Sequence, residues 1–277
     1  MWHVRLFADD CVIYRTIHSA QDAMQLQYDL DRLAEWEQKW KMSFNIGKCH
    51  IMHVTKSNKK INTVYTLHNQ PLSTVSQATY LGVEISSNLS WTPHINKITS
   101  KSSQSLGFLK RNLHSARKST KQAAFNSIVR PTLEYCSSVW DPYTQKDIDR
   151  IENIQKQAAR FVTNTYSKTP GTVTNIMSEL KWNTLESRRQ TSRLTLFYKM
   201  VNNFVTINPS QYVIPYTRQS RHYHHLAYQI PYTTVDYFKF SYFPRTVVQW
   251  NTLPSHVVSA DSIAGFKSAL ASSMMQP

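Results

Sequence analysis

The chain is poor in glycine, with five in 277 residues. That scarcity excludes repeated Gly-rich phosphate loops and argues against a glycine-punctuated α/β enzyme. Cysteine is nearly as scarce. Cys11, Cys49 and Cys136 are scattered, cannot build a disulfide framework, and suit a reducing compartment. No apolar run approaches the roughly 20 residues that span a bilayer, and the first residues lack the charged-then-apolar pattern of a secretory signal. The expectation is an intracellular protein, nuclear or cytoplasmic, with no membrane partner. Acid is missing from one long stretch: no Asp or Glu lies between Glu84 and Glu134.

What is present is globular. Apolar residues make up 41% and aromatics 12%, too much for a disordered chain. The net charge of +15 points to a polyanionic partner, nucleic acid before membrane surface. The charge is unevenly spread. Residues 1–55 carry 6 basic and 7 acidic side chains, residues 56–136 carry 11 and 2, and residues 137–277 carry 15 and 8. A near-neutral head therefore precedes a strongly basic middle.

Strand-favouring stretches at 2–7 and 11–16 flank Ala8-Asp9-Asp10, which reads as the turn of a β-hairpin. Ser19-x-x-Asp22 reads as a capping box opening an amphipathic helix over about 20–40. A loop around Asn45-Ile46-Gly47, a strand over Cys49–Thr55, and strands at 63–68 and 78–85 about a turn at Asn69-Gln70-Pro71 follow. From Pro93 the period becomes helical, with helices expected over 93–112, 119–136, 145–163 and 184–202. Thr144-x-x-Asp147 and Asn183-x-x-Glu186 read as caps. Residues 205–245 read as an aromatic, Pro-interrupted loop region before a last helix at about 261–273.

Asp9 and Asp10 admit two readings. Aspartate is common in turns because its side chain bonds local amides. Paired carboxylates between apolar flanks also suit Mg²⁺, which takes hard oxygen ligands and commonly binds through one or two carboxylates plus substrate phosphates. Lys97 and Lys101 lie one turn apart on one expected helix. Lys110, Arg111, Arg117, Lys118 and Lys121 follow in the acid-free stretch, where a basic face would neutralise phosphates without reading sequence. Cys49, His50 and His53, and His222, His224 and His225 near Arg218 and Arg221, lack the paired ligand spacing of a zinc site, so no zinc is expected.

The stretch "FADD" at 7–10 resembles the active-site hairpin of reverse transcriptases of non-LTR (LINE-like, jockey-type) retrotransposons. The likeness continues in order through "WEQKW" at 36–40, "NIGKC" at 45–49, "YLG" at 80–82, "WTPHI" at 91–95, "RPTLEYCSSVWDP" at 130–142 and "PRTVVQWNTLP" at 244–254. The resemblance implies an α+β fold: residues 1–90 as the C-terminal part of a polymerase palm (an antiparallel sheet with a helix), 91–165 as an all-α thumb, and 166–277 as a helical, aromatic C-terminal region. It implies RNA-directed DNA synthesis by two-metal phosphoryl transfer, with Mg²⁺ as cofactor, an RNA template and DNA primer as partners, and deoxynucleotides as substrates. Asp9 and Asp10 would be metal ligands and Lys48 would sit near the triphosphate. Phe7 and Ala8 would lie beneath the incoming nucleotide, and Tyr80, Leu81 and Gly82 would grip the primer end. Such polymerases place another metal-binding carboxylate and the fingers before this hairpin, and only eight residues precede Asp9. The expectation is thus a C-terminal portion that is inactive alone, with a non-catalytic nucleic-acid-binding protein derived from the thumb as the alternative.

Overall fold

The structure is a computed structural model that describes residues 3–55, 57, 61, 63–217 and 223–274. It divides into two compact units, Met1–His94 and Ile95–Pro277. The boundary at 90 read from the sequence lies close to this division, whereas the one at 165 does not separate compact units. The reason is a buried charge cluster that joins Asp141 to Arg189, Arg193 and Arg245 across it.

The first unit opens with strands β1 (His3–Phe7) and β2 (Asp10–Tyr14), paired antiparallel with Phe7 opposite Asp10. The turn is therefore Ala8-Asp9, and Asp10 is the first strand residue rather than part of the turn. Helix α1 (Ala20–Trp40) starts on the expected box: Asp22 N–H donates to Ser19 Oγ at 3.2 Å, and Ser19 N–H donates to Asp22 Oδ2 at 2.9 Å. Its apolar face buries Ala23 and Leu30 against Tyr65, with Ile13 of β2 packed alongside. Gln27 clamps the helix to the next segment, accepting from Thr66 N–H and donating to Thr66 O, both at 2.9 Å.

The remaining strands are short: β3 (His50–Ile51), β4 (Thr66–Leu67), β5 (Gln70–Pro71), β6 (Ser73–Thr74), β7 (Gln77–Tyr80) and β8 (Val83–Ser86). Among the described residues they form three separate two-stranded pairs, one of them parallel, which with β1–β2 make four such pairs rather than one antiparallel sheet. The expected turn at Asn69–Pro71 lies earlier, at His68-Asn69, both with left-handed φ. Pro71 then sits opposite Thr66 in the non-hydrogen-bonded position of an antiparallel pair, where its missing N–H costs nothing. The single strand expected over 78–85 is a hairpin turning at Leu81-Gly82.

The second unit is helical: α2 (Thr92–Asn112), α3 (Lys118–Ala124), α4 (Arg130–Glu134), α5 (Ser137–Trp140), α6 (Gln145–Thr163), α7 (Thr172–Glu179), α8 (Leu185–Val201), α9 (Asp236–Lys239), α10 (Tyr242–Asn251), α11 (Ser255–Val258) and α12 (Ile263–Met274). The helix expected over 119–136 is interrupted by a widened π turn at Phe125–Val129. Pro131 follows at once; it offers no N–H to Ser127 O, and its ring crowds that carbonyl. In α6 the stripe Ile148, Ile151, Ile154, Ala158, Phe161 and Val162 is buried as its spacing requires. Two caps differ from the reading. Thr144 Oγ1 donates to the Asp147 carboxylate instead of capping an amide, and α8 is capped by Thr184, whose Oγ1 accepts from Ser187 N–H at 3.1 Å, not by Asn183. Later chain elements pack Phe197, Tyr198, Trp250, Phe266 and Leu270 into one core, with the Tyr198 and Phe266 rings stacked at 4.4 Å. Among the described residues no helix is long and apolar enough to cross a membrane.

Candidate active site and nucleic-acid interface

The candidate site is built on the tip of the β1–β2 hairpin. A two-residue connection closes it, and Ala8 adopts φ of 50° at the first position. A residue with a Cβ carries a cost of roughly 1–2 kcal/mol in that region. The tip is exposed throughout: Leu6 is 69% and Phe7 65% accessible, and Asp9 and Asp10 are exposed as well. Strand alternation puts Asp10 on the same face as its cross-strand partner Phe7, opposite the face that carries Cys11 and the core residue Ile13. No ion pair joins Asp9 or Asp10 to a cation among the described residues, so both carboxylates stand open. Their chemistry, two hard anionic oxygen groups side by side, fits part of a Mg²⁺ ligand set. Among the described residues no group of three His, Cys, Asp or Glu side chains converges on one point.

Lys48 ends a single 3-10 turn, Ile46–Lys48, and is exposed. The turn is held from both sides. Cys49 Sγ donates to Asn45 O at 3.3 Å, and the buried Glu37 carboxylate accepts from the Phe44 amide and contacts His68 Nε2 at 2.6 Å. Burial raises the Cys11 thiol above its ordinary pKa, and the Cys49 charge raises it further. Cys49 is raised by burial and by Glu37. The two thiols, thirty-eight positions apart, thus influence one another electrostatically, which no local pattern in the sequence signals.

Tyr80, Leu81 and Gly82 form the tip of a different hairpin that shares no sheet with β1–β2. Leu81 (φ 47°) and Gly82 (φ 79°) are both left-handed, the backbone of a type I′ turn. Glycine suits that position and leucine does not. Tyr80 and Leu81 are half-buried, and Gly82 is exposed.

The expected basic face is only partly built. Lys97 and Lys101 are exposed one turn apart on α2, and Arg111 and Arg117 are exposed near its end. Lys110 is half-buried, and burial lowers its pKa. Two residues depart from the reading. Lys118 is engaged with Glu179. Lys121 is 0% exposed: its ammonium donates to Asn164 Oδ1 at 2.8 Å and lies 5.0 Å from the Phe161 ring centroid. Lys121 is therefore an internal strut that cannot touch phosphate. Residues 113–117 break the helix between Lys110 and Lys121.

Within the histidine cluster, His224 has a structural role. His224 Nε2 lies 2.9 Å from Trp250 O and its Nδ1 accepts from Leu226 N–H at 3.2 Å, a tertiary role in the core. His222, Arg218 and Arg221 lie outside the described residues. His50 Nδ1 contacts Ser73 Oγ at 2.8 Å.

The curated proteins similar to this chain share one class: RNA-directed DNA polymerases carried by mobile elements. One is a probable RNA-directed DNA polymerase from transposon X-element of Drosophila melanogaster, 29% identical over 164 residues, which cover 57% of this chain and 18% of that protein. A second, from transposon BS of the same species, is 28% identical over 199 residues, covering 68% of this chain and 21% of that protein. A third, from mobile element jockey of Drosophila funebris, is 27% identical over 165 residues, with 57% and 18% covered. The resemblance read from the motifs is thus matched by relatives of the expected type. The chain spans about a fifth of the length of these relatives. No family model and no solved structure matches it.

Proposed function

We propose that the chain is part of an RNA-directed DNA polymerase of a non-LTR mobile element, comprising the later palm, the thumb and a C-terminal region. The observation that carries this reading is the exposed, cation-free Asp9–Asp10 pair at a hairpin tip, in a chain whose relatives are such polymerases. Asp9 and Asp10 would hold Mg²⁺, which when bound stabilises the attacking and leaving oxygens of an in-line phosphoryl displacement. The chain's own residues do the rest. Phe7 and Ala8 present an exposed apolar surface next to the carboxylates for the incoming nucleotide. Lys48, on its pinned turn, offers a cation to departing pyrophosphate. Tyr80, Leu81 and Gly82 steady the primer end, and Lys97 and Lys101 meet backbone phosphates of the template–primer.

Two carboxylates form only part of a two-metal set, and no third ligand joins them among the described residues. The 277 residues by themselves are therefore expected to give no extension of a primed RNA template with Mg²⁺. Joined in frame behind the upstream polymerase portion of the jockey relative, they should support synthesis. Asp9→Ala in that joined protein should cost roughly a hundredfold or more, since each metal supplies several kcal/mol. Synthesis that survives Asp9→Ala would sink the assignment.

The exposed Lys97, Lys101, Arg111 and Arg117 favour a second reading, a non-catalytic nucleic-acid-binding protein. It predicts binding that is indifferent to Asp9→Ala together with a joined protein that stays inactive.

A further inference from the structure

We propose that the second unit carries a phosphate-backbone groove on α8, separate from the basic residues of α2, and that it takes a segment of single-stranded nucleic acid without reading its bases. The groove is a cavity of about 640 Å³. That lies within the ~300–1,000 Å³ typical of sites that enclose small ligands. Its floor is one stripe of α8: Ser187, Thr191, Thr195 and Lys199, each four residues after the last. Residues four apart lie on one face, and twelve residues of helix extend about 18 Å. Helix α5 and helix α12 supply the walls, with Ser137 and Ser138 on one side and Lys267 on the other.

The chemistry of this lining is selective. Six of its thirteen residues are Ser or Thr, and none is aromatic. Hydroxyls and cations bond phosphate and sugar, whereas bases need aromatic faces to stack on. Arg188 is already committed to Glu134, its Nη2 donating to Glu134 Oε2 at 3.0 Å. Lys199 and Lys267 make no ion pair among the described residues, so the groove retains two uncommitted cations. A polar helix face usually meets only water. Here, however, Thr195 is 5% exposed and its Oγ1 is buried with no hydrogen-bond partner. An orphaned buried hydroxyl costs more than a satisfied one gains, and a ligand oxygen seated in the groove would be the partner it lacks. This site does not depend on the polymerase reading.

The test is fluorescence anisotropy of the full chain with a labelled oligo-dT. Lys199→Ala/Lys267→Ala should weaken binding roughly tenfold and flatten the plot of log affinity against log salt by about 1.4, the share of two phosphate contacts on a single strand. Thr195→Val, an isostere without the hydroxyl, should weaken binding while raising the melting temperature of the free chain. Lys97→Ala/Lys101→Ala measures the α2 contribution separately, so loss of that effect bears on the polymerase reading and not on the groove. Unchanged affinity and salt slope in the double lysine variant overturn the groove, and so does unchanged affinity of Thr195→Val. An affinity that differs more than about tenfold between oligo-dT and oligo-dA would refute a backbone-reading site.

Discussion

Removing the charge of Asp141 should unfold the second unit well before any surface change does. Asp141 is buried between three guanidinium groups. Its Oδ1 accepts from Arg189 Nε at 2.8 Å, its Oδ2 accepts from Arg193, and Arg245 Nη1 lies 3.3 Å from Oδ2. Arg245 has other acceptors, donating to Asp141 O and Pro142 O at 3.2 and 3.1 Å, and Arg193 also reaches Gln249. Arg189 has no such reserve: its Nη1 and Nη2 are already buried without partners. Asp141→Asn keeps the volume and takes from this cation the carboxylate it is hydrogen-bonded to, leaving only the weaker pull of Glu152, Glu186 and Glu134. Breaking a buried pair from one side costs about 3–5 kcal/mol. For a unit of this size that corresponds to a fall of roughly 6–20 °C in melting temperature. Burial, and then the like charge of Arg245, pull Arg193 down to about 9. A folded pKa below the unfolded one means the unfolded chain holds more proton above pH 9. The cost is therefore full below pH 9 and relieved as pH rises, so the parent chain itself should gain stability from Arg193 at alkaline pH. Circular dichroism melts of the full chain at pH 7 and pH 9.5 measure both. Arg189→Met, which removes the orphaned nitrogens while leaving Asp141 two partners, should cost distinctly less. A fall under about 3 °C for Asp141→Asn, or a larger fall for Arg189→Met, would refute the view that compensation of buried charge holds this region together.

Lys121→Met should lower stability by about 1.5–3 kcal/mol, the worth of a buried charged hydrogen bond, yet leave nucleic-acid affinity unchanged; a binding defect in a folded variant would restore Lys121 to the interface. Leu81→Asn should raise the melting temperature, because asparagine tolerates the left-handed turn position, while reducing primer use in the joined polymerase; equal primer use would separate the Tyr80–Gly82 tip from the reaction. Burial lowers His224 below its ordinary value, and its Nδ1 is occupied as an acceptor. Its folded pKa is depressed, so stability is full above the unfolded pKa of about 6.5 and drains away as pH falls below it. Chemical denaturation between pH 7 and pH 5 should therefore show a steeper loss in the parent chain than in His224→Gln, and parallel curves would contradict this.

Much of the local structure was legible because its causes are local. The Ser19–Asp22 box, the apolar stripe of α6 and the hairpin strands around Asp9 each depend on residues within one or two turns of one another. The errors came where a second force intervened. The π turn before Pro131 answers a backbone clash, and the turn at His68-Asn69 answers a hydrogen-bonding register that exempts Pro71. The candidate catalytic residues could be named from ordered motifs, since their identities and spacing survive in linear form. Whether a lysine is surface or strut could not be read this way. Lys121 and Lys97 look alike in sequence, and only the approach of Asn164 and Phe161, some forty residues away, buries one of them.

Composition and order thus determined that the chain is basic, mixed in secondary structure up to about residue 90 and helical beyond it, and that it carries an Asp-Asp pair between two strand-forming stretches. Tertiary packing decided the rest. It brought Cys11 and Cys49 within electrostatic influence of one another, gathered three arginines on Asp141, and enclosed a stripe of α8 hydroxyls between two other helices. Each of these joins groups distant along the chain, and the Asp141 cluster does so in an environment that water does not screen. Charge and hydrogen-bonding capacity are written in the sequence, but whether they are compensated depends on what folding brings alongside.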